Sequence, residues 1–438
     1  MQLDYNKTQA KLSLLPLLIF VSLFLGTGLY LQANGVDYAF YQLPAPVAIL
    51  PAILLAFFLN KKTINSSVET FVQGAGHSNI ITMCLIYLLA GAFSTVAGAT
   101  GGVDAIVNAG LDVIPAALLL PGLFLISGII ATAMGTSMGT IGAIGPIAYA
   151  VSVKTGIDPS LVAGTVISGA IFGDNLSIIS DTTIAATKTQ GCEMKDKFKE
   201  NLSISVPAAI LTITLLFILS PQSQAIDIQD YDLLLVLPYA FILILAVMGF
   251  NVFAVLISGI VFAALIGFTG DYEAGAFVKD IYKGFTSMQE IFLLSMLIGG
   301  LSEFIRINGG LDYIAKKIQG VTKVIAKYNR QVADQFGIAA LVFASNLCIA
   351  NNTVAIIVSG PIAKKLAQDG DVSAKRSASL LDIFACVVQG ILPYGAQALL
   401  LGATFGLSPW EVSTSAYYCF ILAITAIVVI CFRSNKKA

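Results

Sequence analysis

Apolar stretches about twenty residues long recur from one end of the chain to the other. A helix of that length spans the hydrocarbon core of a bilayer. Lipid admits a spanning backbone only where its N–H and C=O groups bond within the chain. Charged residues make up 11% of the 438 and apolar types 57%, whereas soluble domains carry about 25% charged residues. The expected fold class is an all-α polytopic membrane protein. Disulfide frameworks, disordered chains and soluble nucleic-acid binders are excluded. A net charge of −1 offers a polyanion no attraction, so no nucleic acid partner is expected.

The apolar runs place crossings near 12–31, 44–59, 79–97, 160–187, 201–220, 233–250, 251–268, 289–306, 378–407 and 416–432. The first is read as a retained anchor, because no small-residue cleavage site follows it. Two further apolar stretches, 114–151 and 335–363, are interrupted by small and polar residues and read as re-entrant hairpins. With the N-terminus in the cytoplasm, all but Lys154, Lys279 and Lys283 of the 24 Lys and Arg fall on the inner side, as the positive-inside rule requires. This layout puts both termini in the cytoplasm. It makes 60–78, 188–200 and 307–334 inner polar connectors, and 98–113 and 269–288 outer ones.

The six cysteines show no C-x-x-C spacing, and five lie in apolar runs, so they read as small buried hydrophobes. No phosphate-binding loop, dinucleotide fingerprint or H-E-x-x-H occurs. No cofactor is expected.

The chain repeats itself. Residues 91–104 (GAFSTVAGATGGVD) align without gaps to 299–312 (GGLSEFIRINGGLD), and Gly-Pro-Ile-Ala recurs at 145–148 and 360–363. Each half holds three crossings, a hairpin and two more crossings. Five is odd, so the second half enters upside down. Residues 1–220 and 221–438 are the expected inverted repeats. Inverted halves with interrupted helices are a signature of secondary transporters, because exchanging their conformations opens one site to each side in turn.

The most informative segment is 173–183, Gly-Asp-Asn-Leu-Ser-Ile-Ile-Ser-Asp-Thr-Thr, inside the crossing 160–187. Two carboxylates, Asp174 and Asp181, at membrane depth cost about 2.5–3.5 kcal/mol each on insertion scales. With Asn175, Ser177, Ser180, Thr182 and Thr183 they form an oxygen-rich set suited to a hard cation. Gly173 and the Ser/Asn/Asp run favour unwinding, which would free carbonyls for an ion. A continuous helix would put both acids on one face. The matching segment 389–397 has no acid but carries Gln389, Pro393, Tyr394 and Gln397. Its Pro and glycines predict a second break. The hairpin tips add Thr136 and Ser137 in the first half, and Asn346, Asn351, Asn352 and Thr353 in the second. Asp174 and Asp181 are the expected Na⁺ ligands. Glu303 and Arg306 read as an i,i+3 ion pair, and His77 as an interfacial histidine.

The run GDNLSIISDTT resembles the signature of the NhaC family of sodium/proton antiporters, in the ion-transporter superfamily. Every fixed position of the family's GD-x-x-S-x-x-SDTT core is met. The tip Asn351-Asn352-Thr353 resembles, more weakly, the S-N-T tips of divalent-anion/sodium symporters. The resemblance implies that Asp174, Ser177, Ser180, Asp181, Thr182 and Thr183 bind a cation or proton, that Na⁺ and H⁺ are transported, and that a homodimer is a candidate assembly. Asn175 stands where the family has a basic residue, and Ile178 where many members have Pro.

These readings make the chain a Na⁺/H⁺ antiporter of the bacterial plasma membrane, in contact with lipid and its transported ions. The alternative is a Na⁺- or H⁺-coupled transporter of a small organic solute, an amino acid or carboxylate. An intramembrane enzyme is disfavoured. Residues 135–139 fit G-x-S-x-G, but the lone His77 is expected across a crossing from them, and Asp174 lacks the aspartyl-protease context. A passive channel makes less use of paired breaks.

Overall fold

A computed structural model describes residues 7–36, 39–220, 230–327 and 329–434. The expected boundary between halves falls in 221–229, and the basic residues beyond 434 also lie outside the described residues. Every regular element among the described residues is a helix. Seven helical segments are long and apolar enough to cross a membrane by length and composition, and four shorter ones are apolar: Ala45–Leu59, Leu233–Val247, Val252–Gly267 and Tyr417–Phe432. The chain is an integral membrane protein.

The element order recurs. Ser78–Ala99 and Gly102–Val113 have counterparts in Gln289–Ile307 and Gly310–Ile325. Gly101 and Gly309, the positions just before the shorter helices, both take φ +78°, a conformation glycine adopts at no steric cost. The hairpin Leu119–Met134 and Ser137–Thr155 corresponds to Arg330–Ile349 and Asn352–Asp369, with Pro146 and Pro361 inside the second arms. The long helices Ser78–Ala99 and Gln289–Ile307 run antiparallel. Ile80 lines a cleft with Ser302 and Glu303, the Tyr87 and Ser295 hydroxyls are 3.2 Å apart, and a Cβ on Gly91 would meet Met288 Cγ at 2.7 Å.

Both expected breaks are present. Pro159–Leu176 ends where Ser177 turns extended (φ −72°, ψ 133°), and Asp181–Gln190 restarts after Ser180, whose side chain accepts from Thr183 N. In the second half, Ala374–Ile391 stops before Leu392-Pro393, and Ala396–Phe405 restarts after Gly395. Proline has no N–H and disfavours helix at the residue before it. Close packing holds the first break in place: a Cβ on Gly173 would lie 2.6 Å from Ala131 Cβ.

The connectors differ from the expectation of polar loops. Most are amphipathic helices: Ile64–Ala75, Gly102–Val113, Ala274–Ser287 and Gly310–Ile325. The segment 188–200 is a larger correction, because Lys197 lies on Met194–Leu219 and is fully buried. It shares a buried face with Asn201, Ile204, Ser205 and Ala208, a spacing of helical period.

Candidate ion and solute site

Both hairpin tips and both breaks meet at one cavity of about 90 Å³. At the first tip, Gly135 closes one arm at φ +69°, and the Thr136 side chain caps the other by accepting from Gly139 N at 3.4 Å. At the second, Ala350 holds φ +53° without being glycine, and Asn351 Oδ1 accepts from Val354 N at 3.0 Å. These caps satisfy N–H groups that open the second arms.

Asp174, Asp181, Thr182, Thr136, Ser137, Asn351, Asn352, Thr353, Gln389 and Gln397 line this cavity. Asp174 is buried at 4% exposure, whereas Asp181, at the start of its helix, is exposed. The break therefore separates the two acids instead of stacking them on one helical face, yet both reach the same space. Ser137 Oγ donates to Asp174 Oδ2 at 3.1 Å, Gln397 Nε2 donates to Ser137 Oγ at 3.1 Å, and Gln389 Nε2 donates to Gln397 Oε1 at 2.7 Å. This chain of neutral donors links the break at 389–397 to the carboxylate at the other break.

Asn175, Ser177, Ser180, Thr183, Asn346 and Tyr394 do not line the cavity. Ser177 Oγ donates to Thr132 O at 2.9 Å, and Thr183 Oγ1 donates to Ser177 O at 2.7 Å. Ser180 Oγ and Thr182 Oγ1 share a bond of 2.6 Å. Asn346 Nδ2 donates to Ala385 O at 2.8 Å, and Tyr394 Oη to Leu347 O at 2.7 Å. Unwinding leaves carbonyls that need partners, and here side chains supply them. The Asn175 carbonyl takes Lys197 Nζ at 3.1 Å and Asn201 Nδ2 at 2.8 Å. So two of the carbonyls expected to be free for an ion, those of Asn175 and Ser177, are already bonded.

Sequence reasoning missed two features. Asn79 and Thr82, on the opening turns of Ser78–Ala99, complete the cavity wall. Behind the break, Lys197 Nζ lies 2.7 Å from Asp382 Oδ2, both side chains being fully buried. Lys197 also donates to Thr183 Oγ1 at 2.7 Å, and Asn201 to Asp382 Oδ2 at 2.8 Å. A single acid in the apolar run 378–407 was a visible signal for Asp382; only helical periodicity pointed to Lys197.

Glu303 and Arg306 form the expected pair, Arg306 Nε to Glu303 Oε2 at 2.7 Å. His77 caps Ser78–Ala99 by accepting from Asn79 N. No group of three or more His, Cys, Asp or Glu that could hold a metal ion occurs among the described residues.

The profile of the Na⁺/H⁺ antiporter family matches residues 8–220. A Na⁺/H⁺ antiporter NhaC from Alkalihalophilus pseudofirmus is 24% identical, over 74% of this chain and 76% of its own length. The chain is a homologue of the NhaC Na⁺/H⁺ antiporters. The malate-2H⁺/Na⁺-lactate antiporter of Bacillus subtilis is 25% identical over 94% of each chain. The arginine/ornithine antiporter ArcD of Halobacterium salinarum is 24% identical, covering 84% of this chain and 81% of its own. These relatives are antiporters and not enzymes.

Proposed function

We propose that this protein is a secondary active antiporter of the bacterial plasma membrane, exchanging Na⁺ for H⁺ at Asp174 by alternating access. One observation carries the reading. Asp174 is buried at the junction of both breaks and both tips, hydrogen-bonded by the neutral Ser137, and takes part in no ion pair among the described residues. Asp382, the other deeply buried acid of this region, is paired with Lys197. An intramembrane carboxylate in no direct ion pair calls for a mobile cation.

One carboxylate binds H⁺ or Na⁺, never both, so the fluxes compete for a single seat. An empty, charged site is costly to carry past lipid, so the site crosses only when loaded. Asp181, Thr182, Thr136 and the Asn351–Thr353 tip supply further oxygens along the approach. The antiparallel, repeat-related helices support two inverted halves, 1–220 and 221–438, and the distribution of Lys and Arg supports two cytoplasmic termini.

The test is exchange in proteoliposomes containing a pH dye. A pulse of external Na⁺ should make the lumen alkaline with wild type, and Asp174→Asn should abolish the response. A wild type with no Na⁺-dependent pH change, or an Asp174→Asn protein that exchanges normally, overturns the proposal.

A second reading is a Na⁺- or H⁺-coupled carrier of a small carboxylate or amino acid. It is favoured by the amides of Asn351, Asn352, Gln389 and Gln397 around the cavity and by the substrates named for the lactate and arginine relatives. Uptake of labelled hydroxy and amino acids driven by an imposed Na⁺ gradient decides between them.

A further inference from the structure

We propose that a second cavity, of about 360 Å³ beside Glu290, is the opposite-face counterpart of the first, where a hydrated monovalent cation is exchanged with the solution on the other side of the membrane. The inference rests on the transport reading and deepens it.

The wall of the first cavity includes Asn79, Thr82, Met83 and Ile86. Extended upstream at the same offset, the gap-free alignment of 91–104 with 299–312 places these positions at Ser287, Glu290, Ile291 and Leu294. All four line the second cavity. Because the helices run antiparallel, with Ile80 beside Ser302 and Gly91 beside Met288, the two cavities lie at opposite ends of the pair. The other wall of each comes from the broken-helix elements: Gln397 in the first, Leu399, Gly402 and Ala403 of the same helix in the second.

The two differ in what lines them. The first gathers both hairpin tips, and the second reaches neither. Across the second, Tyr41 Oη donates to Leu407 O at 2.9 Å, and both residues line the cavity. The bond ties the turn Ala39–Tyr41 to the residue after the Ala396–Phe405 helix and its Gly406 cap. Burial, with the carboxylates of Glu290 and Glu411, pushes the Tyr41 phenol up to about 12, so it remains a donor at neutral pH. Glu290 replaces the Thr82 of the other repeat with an exposed carboxylate, which draws cations to the passage.

The test uses a background with Cys192→Ser and Cys431→Ser, which keeps the four buried cysteines. Into it go single changes, Thr82→Cys or Ala403→Cys. A charged, membrane-impermeant thiol reagent is applied to either face of oriented vesicles. Thr82→Cys should react from one face only and Ala403→Cys only from the other. Glu290→Gln should raise half-saturating Na⁺ about two- to fivefold on the Ala403 face and leave the Thr82 face unchanged. Modification of both cysteines from the same face, or a Glu290→Gln effect equal on both faces or absent from both, overturns the assignment. Labelling is read without transport. A protein that labels on opposite faces yet exchanges no Na⁺ for H⁺ keeps the cavity assignment and sinks the antiport reading.

Discussion

Lys197→Met should destabilise the protein more than any surface substitution. The ammonium and the Asp382 carboxylate are fully buried and 2.7 Å apart, and the same Nζ holds Asn175 O and Thr183 Oγ1. Removing one partner of such a pair strands the other charge, at a cost of about 3–5 kcal/mol. Unfolding entropy near 2.1 cal/mol/K per residue amounts to about 0.9 kcal/mol/K over a chain of 438. The expected fall in Tm is therefore about 3–5 °C, read by thermal unfolding of the detergent-purified protein. Asp382→Asn should fall by a similar amount. The double variant Lys197→Met/Asp382→Leu should regain most of the loss, because no charge is then left buried. It should not regain full exchange, since the Asn175 carbonyl has lost one of its two donors. A Lys197→Met protein within about 1 °C of wild type, or a double variant less stable than either single one, would refute the reasoning.

Other outcomes follow from the same geometry. Ser137→Ala removes the donor to Asp174 Oδ2 and should raise half-saturating Na⁺ in the exchange assay about tenfold or more, as loss of a hydrogen bond to a charged group does. Gly284→Ala should lower Tm by several degrees, because its Cβ would lie 2.5 Å from the backbone of Ala92, which cannot yield without parting two packed helices. Glu303→Gln should shift Tm by no more than about 1 °C, since its Arg306 partner is half exposed and such pairs contribute about 0–1 kcal/mol.

Much of the fold is visible in the chain because lipid leaves so little choice. Apolar length dictates spans, and polar or proline-containing interruptions at 173–183 and 389–397 can only be breaks. The hairpins announce themselves through Gly135 and the Asn351–Thr353 cluster, which cap one helix and end another. The site was legible as a neighbourhood rather than as an arrangement. The oxygens of Ser177 and Thr183 sit in the same run as Asp174, but whether they turn toward a cavity or toward an orphaned carbonyl depends on Thr132 and Lys197, which are distant in sequence. Lys197 itself was masked by its setting. Lys195 and Lys199 flank it, and the three together resemble a cytoplasmic loop. Only the 3.6-residue periodicity, which aligns Lys197 with Asn201, Ile204 and Ser205, separates it from them. Asn79 and Thr82 carry no local mark, since polar residues at the start of a crossing are ordinary. Their place in the cavity wall emerges only when the hairpin tips are packed against them.

The measurement closest to the central claim is calorimetric titration of Na⁺ into purified wild-type and Asp174→Asn protein, in buffers of differing ionisation enthalpy. Competition at one carboxylate predicts that Na⁺ binding to wild type releases protons, and that Asp174→Asn loses both the binding heat and the release while remaining folded. Equal Na⁺ binding by the two proteins, or binding to wild type with no proton released, would contradict it.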